Sequence, residues 1–182
     1  MIKQDENKPA SGTREAMLEA LPRVRRFARS LTGNRHDADD LLQNTVERVL
    51  DRGVPEQVDV GRWMFKVCKN LWIDELRAHS VRVKAAASPE LAEEPAVSGE
   101  AVAFGELELR EVDRAMASLP DEQRLVLALV AVEGLTYREA AEVLDTPLGT
   151  IMSRLARARA SLASRLQGPR AAAAKQPETS DE

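Results

Sequence analysis

A single cysteine, Cys68, stands in the 182 residues, so no disulfide can form within the chain, and a reducing compartment is its natural setting. Aromatic residues make up only 3% of the sequence. Alternating β-branched stretches are nearly missing as well, which argues against a sheet. No apolar run approaches the roughly 20 residues of a membrane span. The N-terminal Lys3-Gln-Asp-Glu-Asn-Lys8 is polar, with no apolar run behind it, so no secretory signal is read there. A soluble, cytoplasmic protein is expected. His36, His79 and Cys68 are too few and too scattered for a zinc site. Asp37 and Asp40 share a helix face, but no further carboxylate or histidine recurs at ligand spacing. Neither a glycine-rich phosphate loop nor a Ser/His/Asp arrangement is present. No catalytic residue, metal, cofactor or small-molecule substrate is therefore expected.

Leu, Ala, Val, Arg and Glu dominate what remains. That mixture favours amphipathic helices and predicts an all-α chain. Two small helical domains are expected, at residues 13–84 and 108–167. The segment between them, 85–107, carries Pro89, Pro95, Ser98 and Gly99 with five glutamates, and it lacks sustained periodicity. It reads as a flexible acidic linker; a single domain with one long loop is the alternative. Residues 1–12 and 168–182 are polar or Ala/Pro-rich and read as disordered tails.

Net charge is −4, but its distribution says more than its sum. Residues 13–82 hold 13 basic against 11 acidic side chains, while residues 84–112 hold 2 against 7. Residues 146–166 carry four arginines and no acid. The acidity sits in the middle of the chain, and local basic stripes leave nucleic-acid contact open.

In the first domain Leu18, Leu21, Val24, Ala28 and Leu31 recur at helical spacing and stop at Gly33, a C-terminal signal. Asn34 can cap the next helix, which carries Leu41, Leu42, Val46 and Val49 as far as a break at Gly53 and Pro55. A third helix begins near Gly61. Met64, Val67, Cys68 and Leu71 form its apolar face, with Arg62, Lys66, Lys69 and Arg77 opposite.

The second domain reads as a helix over 112–119, another over 121–132, a short helix from Thr136 and a long final one. Thr136-Tyr-Arg-Glu139 is a capping box, and Thr146-Pro147 is a second start signal. Only Leu144, Asp145 and Thr146 separate those last two helices, and Asp145 falls where a left-handed residue is needed. So tight a junction makes a helix-turn-helix. The final helix turns Leu148, Ile151, Leu155, Ala158, Leu162 and Leu166 inward. Gly149, Ser153, Ala156 and Ala160 lie on the other face, flanked by Thr150, Arg154, Arg157 and Ser161. Small residues allow close approach to a groove floor, and arginines can reach phosphates or guanine edges.

Leu119-Pro-Asp-Glu-Gln-Arg124, Glu133-Gly-Leu-Thr-Tyr-Arg-Glu-Ala-Ala-Glu-Val-Leu144 and Pro147-Leu-Gly-Thr-Ile-Met-Ser-Arg-Leu-Ala-Arg-Ala-Arg159 together resemble region four of the extracytoplasmic-function (group IV) sigma factors. Asp145 stands at a turn position often held by glycine, and Met152 where a basic residue is frequent. Arg26-Phe-Ala-Arg-Ser-Leu-Thr-Gly-Asn34 with Asp37-Ala-Asp-Asp-Leu-Leu-Gln-Asn-Thr45 resembles the polymerase-binding helix of region two. There Asn44 replaces the usual glutamate. Gly61-Arg-Trp-Met-Phe-Lys-Val-Cys-Lys-Asn-Leu-Trp-Ile-Asp-Glu-Leu-Arg77 resembles the helix that opens the promoter.

The resemblance implies a transcription initiation factor whose second domain is a helix-turn-helix (winged-helix-like) bundle. Asp39, Asp40, Leu41, Gln43 and Asn44 would meet the clamp helices of the RNA polymerase largest subunit. Arg62, Lys66, Lys69, Asn70 and Arg77, with the loop 52–60, would hold the minus-ten element and a base flipped from it. Tyr137, Gly149, Thr150, Ser153, Arg154 and Arg157 would read the minus-thirty-five element. An anti-sigma factor is the further partner that the family implies, in a stress or envelope response. Trp63 is expected to anchor the small core rather than to stack on bases. Two competing readings stay open: a conventional helix-turn-helix regulator, and a sigma-like decoy that sequesters an anti-sigma factor.

Overall fold

Gly33 and Gly53 set the course of the first half. At φ 76° and 75° both adopt backbone that L side chains avoid, and their N–H groups close on Arg29 and Val49. They end helices α1 (Ser11–Thr32) and α2 (Arg35–Arg52); α3 (Val60–Ala85) follows. The computed structural model describes residues 11–85 and 112–173. The expected N-terminal tail and acidic linker lie almost wholly outside the described residues, as does the end of the C-terminal tail.

Asn34 caps α2 as expected, its side-chain oxygen accepting from the Asp37 N–H at 2.9 Å. Helices α1, α2 and α3 bury Val24, Phe27, Leu31, Leu41, Val49, Met64, Phe65, Cys68 and Trp72. Phe27 and Phe65 meet edge-to-face with centroids 5.2 Å apart. The Thr45 hydroxyl is fully buried and satisfied by donating to the Leu41 carbonyl at 2.7 Å. The apolar stripe of α1 is turned from the expected one: Met17 and Ala20 are buried, while Leu18 is 61% exposed. Burial also pushes the Cys68 thiol up to about 12, so it is an inert core residue.

The second half opens with helical residues 112–117 (α4) and continues with α5 (Asp121–Leu127), α6 (Tyr137–Leu144) and α7 (Leu148–Ala173). Between α5 and α6 the chain widens into a π turn, Ala128–Val132, closed by the Glu133 N–H on the Ala128 carbonyl. That widening was not legible in the sequence, where 121–132 reads as one regular helix. Thr136 and Glu139 form the expected capping box, and Asp145 takes the left-handed position at φ 50°. Thr136→Ala should lower stability by about 1 kcal/mol in a urea titration; an unchanged midpoint would show that the box is not holding α6. Helix α7 runs on to Ala173, through Gly168 and Pro169 and past the expected end of the domain. All described secondary structure is helical.

The two halves are docked on each other rather than merely tethered. The Glu133 carboxylate, its side chain wholly buried, pairs with Arg26 at 3.1 Å and Arg23 at 3.6 Å across the junction. Burial pushes this carboxyl up, and the two guanidinium groups oppose the shift. Arg29 pairs with Asp113 at 3.0 Å. Arg124 of α5 donates to the Leu31 carbonyl at the end of α1 and lies over the Trp72 ring at 5.5 Å.

Candidate nucleic-acid and polymerase interfaces

Helix α3 starts where Asp59 accepts the Arg62 N–H at 2.8 Å, which fixes the register of every basic residue that follows. Lys66, Lys69, Asn70 and Arg77 then line one groove of about 400 Å³ together with Arg48 and Arg52 of α2. The geometry thus gathers four of the five residues expected on this strand. It adds Arg48, whose place i−4 from Arg52 on a helix could have revealed it. Arg62 lies one turn back, in a neighbouring cavity of about 270 Å³ with Gln57, Val58 and Asp59 of the loop.

Trp63 borders both cavities. It packs against the core only in part, and its buried indole N–H has no hydrogen-bond partner. Phe65 and Trp72 are the more deeply buried aromatic residues of α3, and Trp63 packs on the same core from its edge, in the direction of the expectation for it. Phe65 meets Phe27 of α1, and Trp72 lies under Arg124 of α5. Lys69 is itself buried, and desolvation pulls its ammonium below the usual lysine range.

On α2, Asp40, Gln43 and Asn44 are exposed. Asp40 sits 3.1 Å from His36, and Gln43 bonds Glu47 at 3.0 Å. Asp39 is held by a two-pronged contact with Arg25, at 2.6 and 2.7 Å, and this guanidinium keeps its carboxyl below the usual carboxylate range. Leu41 departs from the set. It is buried in the core and supports the patch from beneath, because its place on α2 faces α1 and α3.

On α7 the inward positions Ile151, Leu155 and Ala158 are buried, and Leu162 packs on the same core. Leu148 is partly exposed at the helix start. Gly149, Ser153 and Arg157 face outward. A Cβ at Gly149 would meet nothing within 4 Å, so this face is open for close approach. Arg154 is half-buried and pairs with Glu122 of α5 at 2.6 Å. Arg157 folds back to donate to the Ser153 carbonyl at 3.3 Å. Tyr137, at the first turn of α6, is also exposed. Met152 is exposed beside Gly149 and Ser153. Among the described residues no cluster of His, Cys, Asp and Glu could hold a metal ion, and no helix is long and apolar enough to cross a membrane.

The architecture agrees with known proteins along most of the chain. The profile of sigma-70 region 2 matches residues 17–82, and that of sigma-70, region 4, matches residues 109–162. The chain is 35% identical over 156 residues to the ECF RNA polymerase sigma factor EcfG of Rhodopseudomonas palustris, covering 84% of each. It is 34% identical over 154 residues to the ECF RNA polymerase sigma factor SigE of Mycolicibacterium smegmatis, covering 81% of this chain and 59% of that one. Among solved structures it resembles the sigma factor RpoE of Bartonella quintana, crystallised with the anti-sigma factor NepR. The TM-score is 0.75 at 25% identity, over 87% of this chain and 99% of that one. With both halves matched and docked helices bearing the expected basic and small-residue faces, this chain belongs to the extracytoplasmic-function sigma factors of the sigma-70 family.

Proposed function

We propose that this sigma factor binds core RNA polymerase through the exposed α2 patch of Asp39, Asp40, Gln43 and Asn44. The α3 groove then holds the minus-ten strand, and α7 reads the minus-thirty-five element. The observation that carries the reading is the groove itself, where cations from two helices converge beside the partly exposed Trp63 ring. A strand drawn across it gains phosphate neutralisation, and a base extruded beside Trp63 meets an aromatic side chain. Polymerase performs the chemistry; this chain chooses where. An anti-sigma factor is the proposed regulator, as crystallised with the Bartonella relative.

Mixed with core polymerase, the chain should elute as a stoichiometric complex in gel filtration. Asp40→Lys should weaken that complex at least about tenfold, because it replaces an exposed attractive charge with a repulsive one. Co-elution unaffected by this reversal would move the polymerase contact elsewhere.

A further inference from the structure

Met152 is a large apolar side chain on the rim of a surface otherwise built from small and basic residues, and it is 52% exposed. At the helical period its place on α7 is about 60° to one side of Gly149, while Arg157 stands about 80° to the other. Ser153, Ala156 and Ala160 lie exposed between these two walls. The Ser153 hydroxyl donates to the Thr150 carbonyl at 3.0 Å, and a Cβ at Gly149 would meet nothing within 4 Å, so the strip between the walls is low. Leu148, partly exposed one turn earlier, continues the apolar edge.

The two walls offer a duplex different chemistry. Arg157 can donate to a phosphate or to the acceptors of guanine. A thioether donates nothing and neutralises no phosphate, so Met152 adds nothing to counterion release. What it complements in the major groove is the C5-methyl group of thymine, the apolar group that an A·T pair presents there. Its position along the helix agrees. A recognition helix meets base edges with its N-terminal residues, and Met152 is the fifth residue of α7 (Leu148–Ala173). Residues 146–166 hold four arginines and no acid, so the surface around Met152 is complementary to a polyanion.

We propose that Met152 sets part of the sequence preference of α7 by packing on the methyl group of a thymine in the minus-thirty-five element. The contact removes apolar surface of both partners from water, and any base without that methyl group leaves the apolar wall unmatched. Phosphate contacts by the arginines hold every sequence alike, so the thymine supplies discrimination that they do not. This inference rests on the assignment of α7 to the minus-thirty-five element.

The test uses holoenzyme assembled from core polymerase and the full-length chain, at limiting concentration, on a promoter mapped after overproduction of the chain. Each thymine of the minus-thirty-five element, on either strand, is replaced in turn by deoxyuridine, which removes the methyl group and keeps every hydrogen bond. At one thymine, or at two adjacent ones, run-off transcription by the unaltered chain should fall about fourfold, the scale of one buried methyl group. Met152→Ala should transcribe the unsubstituted promoter about fourfold less and be indifferent to that methyl group. Met152→Lys should be indifferent to it as well, whatever phosphate contact its ammonium gains. Val132→Ala, which trims an exposed apolar side chain on the π turn, should keep both the transcript level and the thymine dependence. Equal deoxyuridine sensitivity in the unaltered chain and in either Met152 variant, or no sensitivity at any thymine, overturns the inference and leaves Met152 to a protein contact or to solvent. Failure of the sigma-factor reading would look different: the unsubstituted promoter itself would give no transcript, and the inference would fall with that reading.

Discussion

Arg154→Ala combined with Arg157→Ala should reduce transcription from a dependent promoter about hundredfold while leaving thermal stability nearly unchanged. Both side chains flank the outward face of α7, where Gly149 and Ser153 leave room for a groove floor. Arg154 is held in place by Glu122 at 2.6 Å, so little rotamer freedom remains to be lost on binding. Arg157 rests on the Ser153 carbonyl and can swing outward. A lost guanine contact costs about 1–3 kcal/mol, so losing two side chains at once gives the expected scale of the effect. Arg114→Ala, on the exposed side of α4, is the matched control and should transcribe normally. Equal behaviour of the two variants would remove α7 from promoter recognition.

The second large effect is expected at Arg124. Its guanidinium donates to the carbonyls of Leu31, Ala117 and Leu119 and stacks over Trp72, joining α5 to the end of α1. Burial pulls its pKa below the usual arginine range and the Asp121 carboxylate at 3.7 Å opposes that shift, so the group stays charged, since arginine loses its proton only at extreme pH. Arg124→Met keeps most of the apolar stem but strips the donors from carbonyls that water reaches poorly. Unfolding by urea should show a loss of about 3 kcal/mol, the sum of several partly buried hydrogen bonds and a cation–π contact. Arg124→Lys should recover only a fraction, since an ammonium cannot reproduce the planar fork. A loss below about 0.5 kcal/mol, the range of an ordinary surface change, would show that Arg124 does not staple the two halves.

What the sequence made legible was local. Asn34, Gly33, Gly53, Thr136 and Asp145 act within a few residues of themselves, so their caps and turns could be read from type and spacing. The outward face of α7 was legible for the same reason, since one helical period sorts Ile151 and Leu155 from Gly149 and Ser153. The mistakes come from tertiary packing. Leu41 belongs to the acidic motif by order, but α1 and α3 decide that it points inward. Leu18 and Met17 are equally apolar neighbours, and only the positions of α2 and α3 choose between them. Arg48 enters the α3 groove from another helix, a proximity no local window contains.

The docking of the two halves was least legible of all. Glu133, Glu142 and Asp145 carry no local sign of their partners, because Arg26, Arg62 and Lys66 lie 107, 80 and 79 residues away. A run of polar residues between domains suggests independence. Nothing in composition reveals that complementary charges close the gap.

Run-off transcription with purified core polymerase, on promoters mapped after overproduction of this chain, tests the central claim most directly. The account predicts discrete transcripts that appear only when the chain is added and vanish with the Arg154 and Arg157 double variant. No transcript from any of those promoters, with polymerase that responds normally to another sigma factor, would contradict it and leave a regulator or a decoy in its place.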